Sequence, residues 1–248
     1  MQGYLDRGDG VRLAWQRLAG RGPTIVFLHG FASDMQGAKA EALAAWCASR
    51  GQAMLRFDVS GHGGSDGAFT EGTIGRWRDD ALAAIDALTE GDLLLVGSSM
   101  GGWLALLVAL ARPARVTGLV GIAAAPDFTE DLMWNAAMPD EQAMLLRDGH
   151  LDSPNPYGPP LRITRALIED GRRHLLLRAP IPLGMKVRLI QGQQDAEVPW
   201  ETAMRLAGRL QSPDVQVTLV KDGDHRLSRD GDLALLCRTL DGLLQQAA

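Results

Sequence analysis

The sequence predicts an α/β fold: a mainly parallel central sheet with helices on both faces and a small helical cap inserted over one edge. Three observations carry this. Short apolar, β-branched runs recur along the 248 residues, Ala/Leu-rich segments with helical spacing fall between them, and one proline-rich stretch interrupts the alternation. Strands of a parallel sheet covered by helices on both sides are apolar on both faces, so they read as continuous runs. Strand and helix in strict alternation return the chain to the same sheet in parallel.

Taken in order, "VRLAWQRL" (11–18) alternates polar and apolar residues and predicts a half-exposed strand near the sheet edge. "TIVFLH" (24–29) and "AMLRFD" (53–58) predict buried strands around a helix at 35–50. A helix at 73–88 leads to the strand "DLLLVG" (92–97), a helix at 99–112 and the strand "RVTGLVGIA" (115–123). After a break come "KVRLIQG" (186–192), a helix at 199–210, "VQVTLV" (215–220) and a closing helix at 230–246. The break, at about 127–183, contains no convincing strand, and "DSPNPYGPP" (152–160) packs four prolines and a glycine into a loop. Leu132, Met133, Trp134, Met138, Met144, Leu145 and Leu146 supply more apolar surface than a disordered linker carries. The segment therefore reads as a cap of short helices within a single domain spanning 1–248.

Composition excludes several functions. With 25 Lys+Arg against 30 Asp+Glu and no basic run, nothing tracks a phosphate backbone, and nucleic acid is not an expected partner. Cys47 and Cys237 stand far apart without CxxC or Cys/His spacing, which predicts free thiols rather than a disulfide or zinc site. No His/Asp/Glu cluster has ligand spacing, so neither metal nor cofactor is expected. The N-terminus carries charges throughout, and no window reaches the roughly 18 apolar residues of a spanning segment. The expectation is a soluble, cytoplasmic protein; oligomeric state is not legible.

The chemistry lies in "GSSMG" (97–101). The frame Gly-x-Ser-x-Gly is satisfied only with Ser99 at its centre, between Gly97 and Gly101; centring it on Ser98 would need glycine at Val96 and Met100. A serine on a sharp strand-to-helix turn presents its hydroxyl at the tip, and glycines relieve the crowding around it. Ser98 then supports the local backbone.

A serine hydroxyl needs a base, and histidine titrates in the right range. His29 and His62 fall in glycine-rich turns, His150 and His174 in the cap; His225 lies between the last strand and the last helix and is the candidate base. The imidazole needs a carboxylate to hold its tautomer. Asp195, in the loop after the penultimate strand, is the first candidate and Asp127, after the preceding strand, its rival. Asp224 is too close to His225 in sequence to reach the far nitrogen, and Glu197 reads as a cap for the helix that Pro199 begins.

An oxyanion needs fixed donors. The backbone N–H groups of Met100, after the nucleophile, and Phe31, in "FLHGFASD" (27–34), are the candidates. The side chains of Phe31 and Met100, with Met133 and Trp134 from the cap, are expected to line the substrate pocket.

With "LHGF", "RFDVSGHGGSDG", "VGSSMGGWLAL", "QGQQDAEVP" and "DGDHRLS" in that order, the chain resembles the α/β-hydrolase superfamily over nearly its whole length. More narrowly, "HGFASDMQGAKA", "SGHGGSDG", "GSSMGGW" and "DGDHRLS" are similar to the group of small serine hydrolases that includes mitochondrial palmitoyl-protein thioesterases and acyl-glucuronide esterases. The resemblance implies that Ser99, Asp195 and His225 form a catalytic triad. Two departures stand out: no transit-peptide-like N-terminus, and Gln191 where relatives often carry histidine, a change expected to matter little to the acid. The implied activity is cofactor-independent cleavage of carboxylic esters or thioesters through an acyl-enzyme on Ser99. Carbon–carbon bond hydrolysis or lyase chemistry on the same triad, or a ligand-binding relative without turnover, are the competing readings.

Overall fold

The structure, a computed structural model, describes residues 1–155 and 158–245. Pro156 and Tyr157, within the expected proline-rich loop, and Gln246, the last residue of the expected closing helix, lie outside the described residues.

An eight-stranded sheet is built from β1 (Gln2–Asp6), β2 (Arg12–Leu18), β3 (Arg21–Leu28), β4 (Gln52–Phe57), β5 (Leu93–Ser98), β6 (Val116–Ile122), β9 (Lys186–Gly192) and β10 (Val215–Val220), in the order β1-β2-β4-β3-β5-β6-β9-β10. β1 pairs antiparallel with β2, and β2 with β4; the other pairs are parallel. The helices between strands are α1 (Ala38–Arg50), α2 (Ile74–Leu88), α3 (Met100–Ala111), α6 (Glu201–Arg209) and α7 (Asp230–Gln245). One face of the sheet packs on α2 and α3 around Trp77, Trp103 and Phe57; the other packs on α1 and α7 around Leu43, Ile25 and Leu240. Both faces are covered, so the central strands β5 and β6 are buried almost throughout.

β1 was not among the expected strands. It is an edge strand with one partner, alternating exposed and half-buried residues, so Gln2, Tyr4 and Asp6 face solvent where a core strand would carry aliphatics. Its seven-residue neighbour β2 is the half-exposed strand expected at 11–18.

Between β6 and β9 the chain forms a wide π-type turn at Thr129–Trp134, α4 (Pro139–Asp148), β7 (His150–Ser153), β8 (Leu161–Thr164) and α5 (Arg165–Gly171). The expectation of helices alone in this segment is corrected: β7 and β8 form an antiparallel hairpin, with Asp152 opposite Arg162 and their side chains 2.8 Å apart. Four-residue strands with alternating polar residues, separated by prolines, give too short a pattern to register in the sequence.

The sheet order places the site. From β3 the chain proceeds to β4 on one side, then crosses back through α2 to β5 on the other side of β3. The loops leaving the carboxyl ends of β3 and β5 therefore diverge and open a crevice between them, the place where open α/β sheets take ligands.

Candidate active site

Ser99 terminates β5 and opens α3 with φ 53° and ψ −118°, a conformation that costs free energy in any residue with a Cβ. The turn is over-determined. The Ser99 N–H donates to the Ile122 carbonyl at 2.9 Å, and its own carbonyl accepts from Gly102 at 2.8 Å and Ala125 at 3.1 Å. The flanking glycines are required by contact: a Cβ on Gly97 would lie 2.2 Å from the Gly101 oxygen, and one on Gly101 would lie 2.1 Å from the Leu28 oxygen. Helix α3 can thus press on β3 and β5 only because these positions lack side chains.

His225, between β10 and α7, meets this serine across 126 residues of sequence, with Nε2 3.1 Å from Ser99 Oγ. Its other ring nitrogen, Nδ1, lies 2.8 Å from Asp195 Oδ2. A carboxylate accepts only, so Nδ1 carries the proton and Nε2 is left to accept from the serine hydroxyl. The Asp195 side chain is buried; burial opposes its ionisation, but the hydrogen bond and charge of His225, with the N–H groups of Val198 and Glu197 on Oδ1 at 2.8 and 2.9 Å, outweigh that cost and hold the carboxyl below its ordinary value.

The other acidic candidates are elsewhere. Asp127, fully buried, accepts from the Leu176 and Leu177 N–H groups at 2.7 and 2.9 Å and pairs with Arg178, and so anchors the segment after α5. Asp224 accepts from the Leu227 N–H at 2.9 Å. Glu197 differs from its expected place as a helix cap: α6 is preceded by Trp200, with no side-chain cap, and the Glu197 carboxylate faces the site, 3.6 Å from His225 Nε2. Gln191 had been expected to matter little. Instead its Nε2 donates to Asp195 Oδ2 at 2.9 Å and to the Val198 carbonyl at 3.2 Å, so it orients the carboxylate from within the core.

The loop after β3 runs beside the serine: a Cβ on Gly30 would lie 3.4 Å from Ser99 Cβ. The Met100 N–H, first in α3, is an orphan donor of the helix start. The Phe31 N–H lies in the loop beside it, whose next residue, Ala32, donates its N–H to His62 Nε2 at 3.2 Å. His62 is buried against His29, Phe31, Phe69 and Trp77. Desolvation, then the neighbouring His29, push it down to about 4, so it is a neutral acceptor. His29 serves the same way, accepting from the Val59 N–H at 3.2 Å. His150 and His174 lie in the segment between β6 and β9, away from Ser99, with Nδ1 of the first near the Asp148 carbonyl and Nε2 of the second 3.6 Å from Asp170.

A cleft of about 490 Å³ opens over Ser99 and His225. Its lining combines apolar side chains, among them Phe31, Phe128, Leu132, Met133, Leu161 and Ile163, with polar ones, among them Ser33, Asp34, Lys39, Glu197, Arg226 and Ser228. Two expected pocket residues are corrected. The Met100 side chain is fully buried in the hydrophobic core and does not line the cleft. Trp134, at the end of the π-type turn, is covered by the Arg172 guanidinium 4.7 Å from its ring and does not line the cleft. Among the described residues no group of acidic, His or Cys side chains could hold a metal ion, and no helix is long and apolar enough to cross a membrane.

A strand order with its crevice beside β5, a strained serine at the tip of that strand, and a carboxylate and histidine from the ends of the last two strands define an α/β-hydrolase of the serine type. Comparison with known proteins agrees: the family model for serine aminopeptidase, S33, matches residues 21–149, and the chain belongs to the α/β-hydrolase family. Among relatives, it is 42% identical over 245 residues to the mouse mitochondrial palmitoyl-protein thioesterase ABHD10, covering 98% of this chain and 82% of the relative. The solved structure of mouse alpha/beta hydrolase domain-containing protein 10 superposes with a TM-score of 0.93 at 40% identity, covering 100% of both chains. A putative hydrolase from Agrobacterium vitis S4 superposes with a TM-score of 0.94 at 39% identity, covering 98% of each.

The expected cytoplasmic location is corrected by these relatives, which are named as mitochondrial. The expectation rested on the charged first residues, and those residues build β1 and β2; their composition reports an exposed sheet edge, not an address.

Proposed function

We propose that the protein hydrolyses acyl thioesters and carboxylic esters, with Ser99 as nucleophile, His225 as general base and Asp195 as the group that holds the imidazole. The observation that carries this is the continuous hydrogen-bonded line from Asp195 through His225 to Ser99, at 2.8 and 3.1 Å, ending in a cleft with several apolar lining residues. Ser99 Oγ attacks the acyl carbonyl as its proton passes to His225 Nε2. The carbonyl π electrons move to oxygen, and the Phe31 and Met100 N–H groups hold the resulting oxyanion, each such donor contributing about 3 kcal/mol to the transition state. Collapse expels the thiol or alcohol, which takes the proton from the imidazolium. Water then attacks the acyl-serine with His225 again as base, releasing the carboxylic acid and restoring Ser99.

The acyl group is read as a long chain. The apolar lining residues Phe31, Phe128, Leu132, Met133, Leu161 and Ile163 support this, and the relatives are named as palmitoyl-protein thioesterases. The segment at about 127–183 acts as a cap on the domain, since the cleft-lining residues Phe128, Leu132, Met133, Leu161 and Ile163 all come from it. Incubation with p-nitrophenyl esters and acyl thioesters of graded chain length, with Ser99→Ala as control, tests the proposal. Serine-dependent turnover that favours long chains supports it; none for any ester or thioester would overturn it.

A further inference from the structure

A lysine in the first turn of a helix opposes the helix dipole, and a lysine withdrawn from water loses hydration. Lys39, second residue of α1 and half-buried, carries the first cost and part of the second. The structure shows what offsets them. Its Nζ donates to the carbonyl of Arg226, the residue after His225, and lies 3.4 Å from Ser228 Oγ. These contacts span 187 and 189 residues of sequence and tie α1, which follows the Phe31 loop, to the loop that carries His225.

That loop has reason to need a tie. Leu227, two residues past the histidine, sits at φ 42°, a strained conformation for a branched side chain, and within the loop it is steadied by the Asp224 carboxylate on the Leu227 N–H. We propose that Lys39 is a positioning residue for catalysis: by fixing the Arg226 carbonyl and the Ser228 hydroxyl, it holds His225 Nε2 in reach of Ser99. It touches no reacting atom in this role. The inference rests on the reading of His225 as the base for Ser99.

The ammonium faces Arg226, which disfavours its charge, and Asp224 and Asp232, which favour it; burial is the largest influence and brings Lys39 down to about 8. The anchor is strongest when charged, so it weakens as pH rises through that value. A serine–histidine pair alone gains reactivity as the imidazole loses its proton and then holds a plateau; loss of the Lys39 charge adds a decline on the alkaline side.

The test is the second-order rate of fluorophosphonate labelling of Ser99 between pH 6 and 10 for wild type, Lys39→Met and Lys39→Arg, with acyl-substrate kinetics in parallel. Displacement of a catalytic group by about 1 Å can cost up to about a hundredfold, so Lys39→Met is expected to label at least about tenfold more slowly and to lower kcat with KM little changed. Lys39→Arg is expected to restore most of the rate and to lose the decline near pH 8. Labelling of a folded Lys39→Met at the wild-type rate, or a Lys39→Arg profile identical to wild type, would overturn the proposal. Should Lys39→Met not melt cooperatively, Ser228→Ala carries the same test, with a smaller fall in labelling expected and an unchanged rate counting against it. Because labelling reads Ser99 independently of substrate, Lys39-dependent labelling without ester or thioester turnover would sink the substrate reading and leave this one standing.

Discussion

His225 Nδ1 lies 2.8 Å from Asp195 Oδ2, and the same oxygen takes the Gln191 side-chain amide at 2.9 Å. The carboxylate is thereby fixed from the core side while it fixes the imidazole on the cleft side. Asp195→Asn would offer His225 Nδ1 a mixed donor and acceptor and favour the wrong tautomer. The expected outcome is a fall in kcat on the order of 10⁴ with KM little changed, read from steady-state kinetics. A loss of less than tenfold would show that another group orients His225.

Much of this arrangement could be read from sequence because it rests on backbone requirements with few solutions. Gly97 and Gly101 allow one frame for the serine, since each would drive a Cβ into a neighbouring carbonyl. His225 and Asp195 follow successive strands at their carboxyl ends, where parallel topology must bring them near β5. What could not be read depends on side-chain direction or on tertiary contact. Met100 and Trp134 sit beside cleft residues in sequence yet turn away, one into the core and one under Arg172, because neighbouring helical residues point about 100° apart. Lys39 and Gln191 act on distant loops or through buried hydrogen bonds that leave no local pattern. β1 and the β7–β8 hairpin are short and half-exposed, and strands of that kind have little apolar periodicity to detect.

Gly101→Ala tests the backbone constraint. Its Cβ would lie 2.1 Å from the Leu28 oxygen and 2.6 Å from the His29 oxygen, both rigid backbone at the end of β3. Relief requires α3 to move away from the loop that carries Phe31. Overpacking of this kind costs about 1–3 kcal/mol or more, so a Tm several degrees lower is expected, together with slower labelling of Ser99. An unaltered Tm and labelling rate would show that the helix start is looser than these distances require.

His62 gives a pH dependence of stability. In the unfolded chain it titrates near its ordinary value of 6.5, and in the folded protein burial and then His29 bring it down to about 4. Between those values the unfolded state binds the extra proton, so folding stability rises with pH across this window and is lost as pH falls from about 6.5 towards 4. Asp58, raised by burial, works in the opposite sense, so the comparison must be with a variant. His62→Gln keeps an acceptor for the Ala32 N–H and removes the titration. Its Tm, although lower at pH 7, is expected to decline less than that of the wild type between pH 6.5 and 4.5. Parallel declines would remove His62 from the account.

Met133 and Trp134 are neighbours in sequence with opposite expected effects on chain-length preference. Met133 lines the cleft, and Trp134 packs beneath Arg172 outside it. Each methylene of an acyl chain that loses apolar contact forfeits about 0.8 kcal/mol, or roughly a fourfold loss in kcat/KM. Met133→Ser removes apolar wall from the cleft and leaves a polar group in its place, so kcat/KM for long acyl thioesters is expected to fall several-fold while short acyl substrates change little. Trp134→Ala removes a ring that substrate does not meet; it is expected to lower stability through the lost stacking of Arg172, worth about 1 kcal/mol, and to leave the ratio of long to short substrates unchanged. A Trp134→Ala variant that alters that ratio as much as Met133→Ser would place the acyl chain on a different path through the segment between β6 and β9.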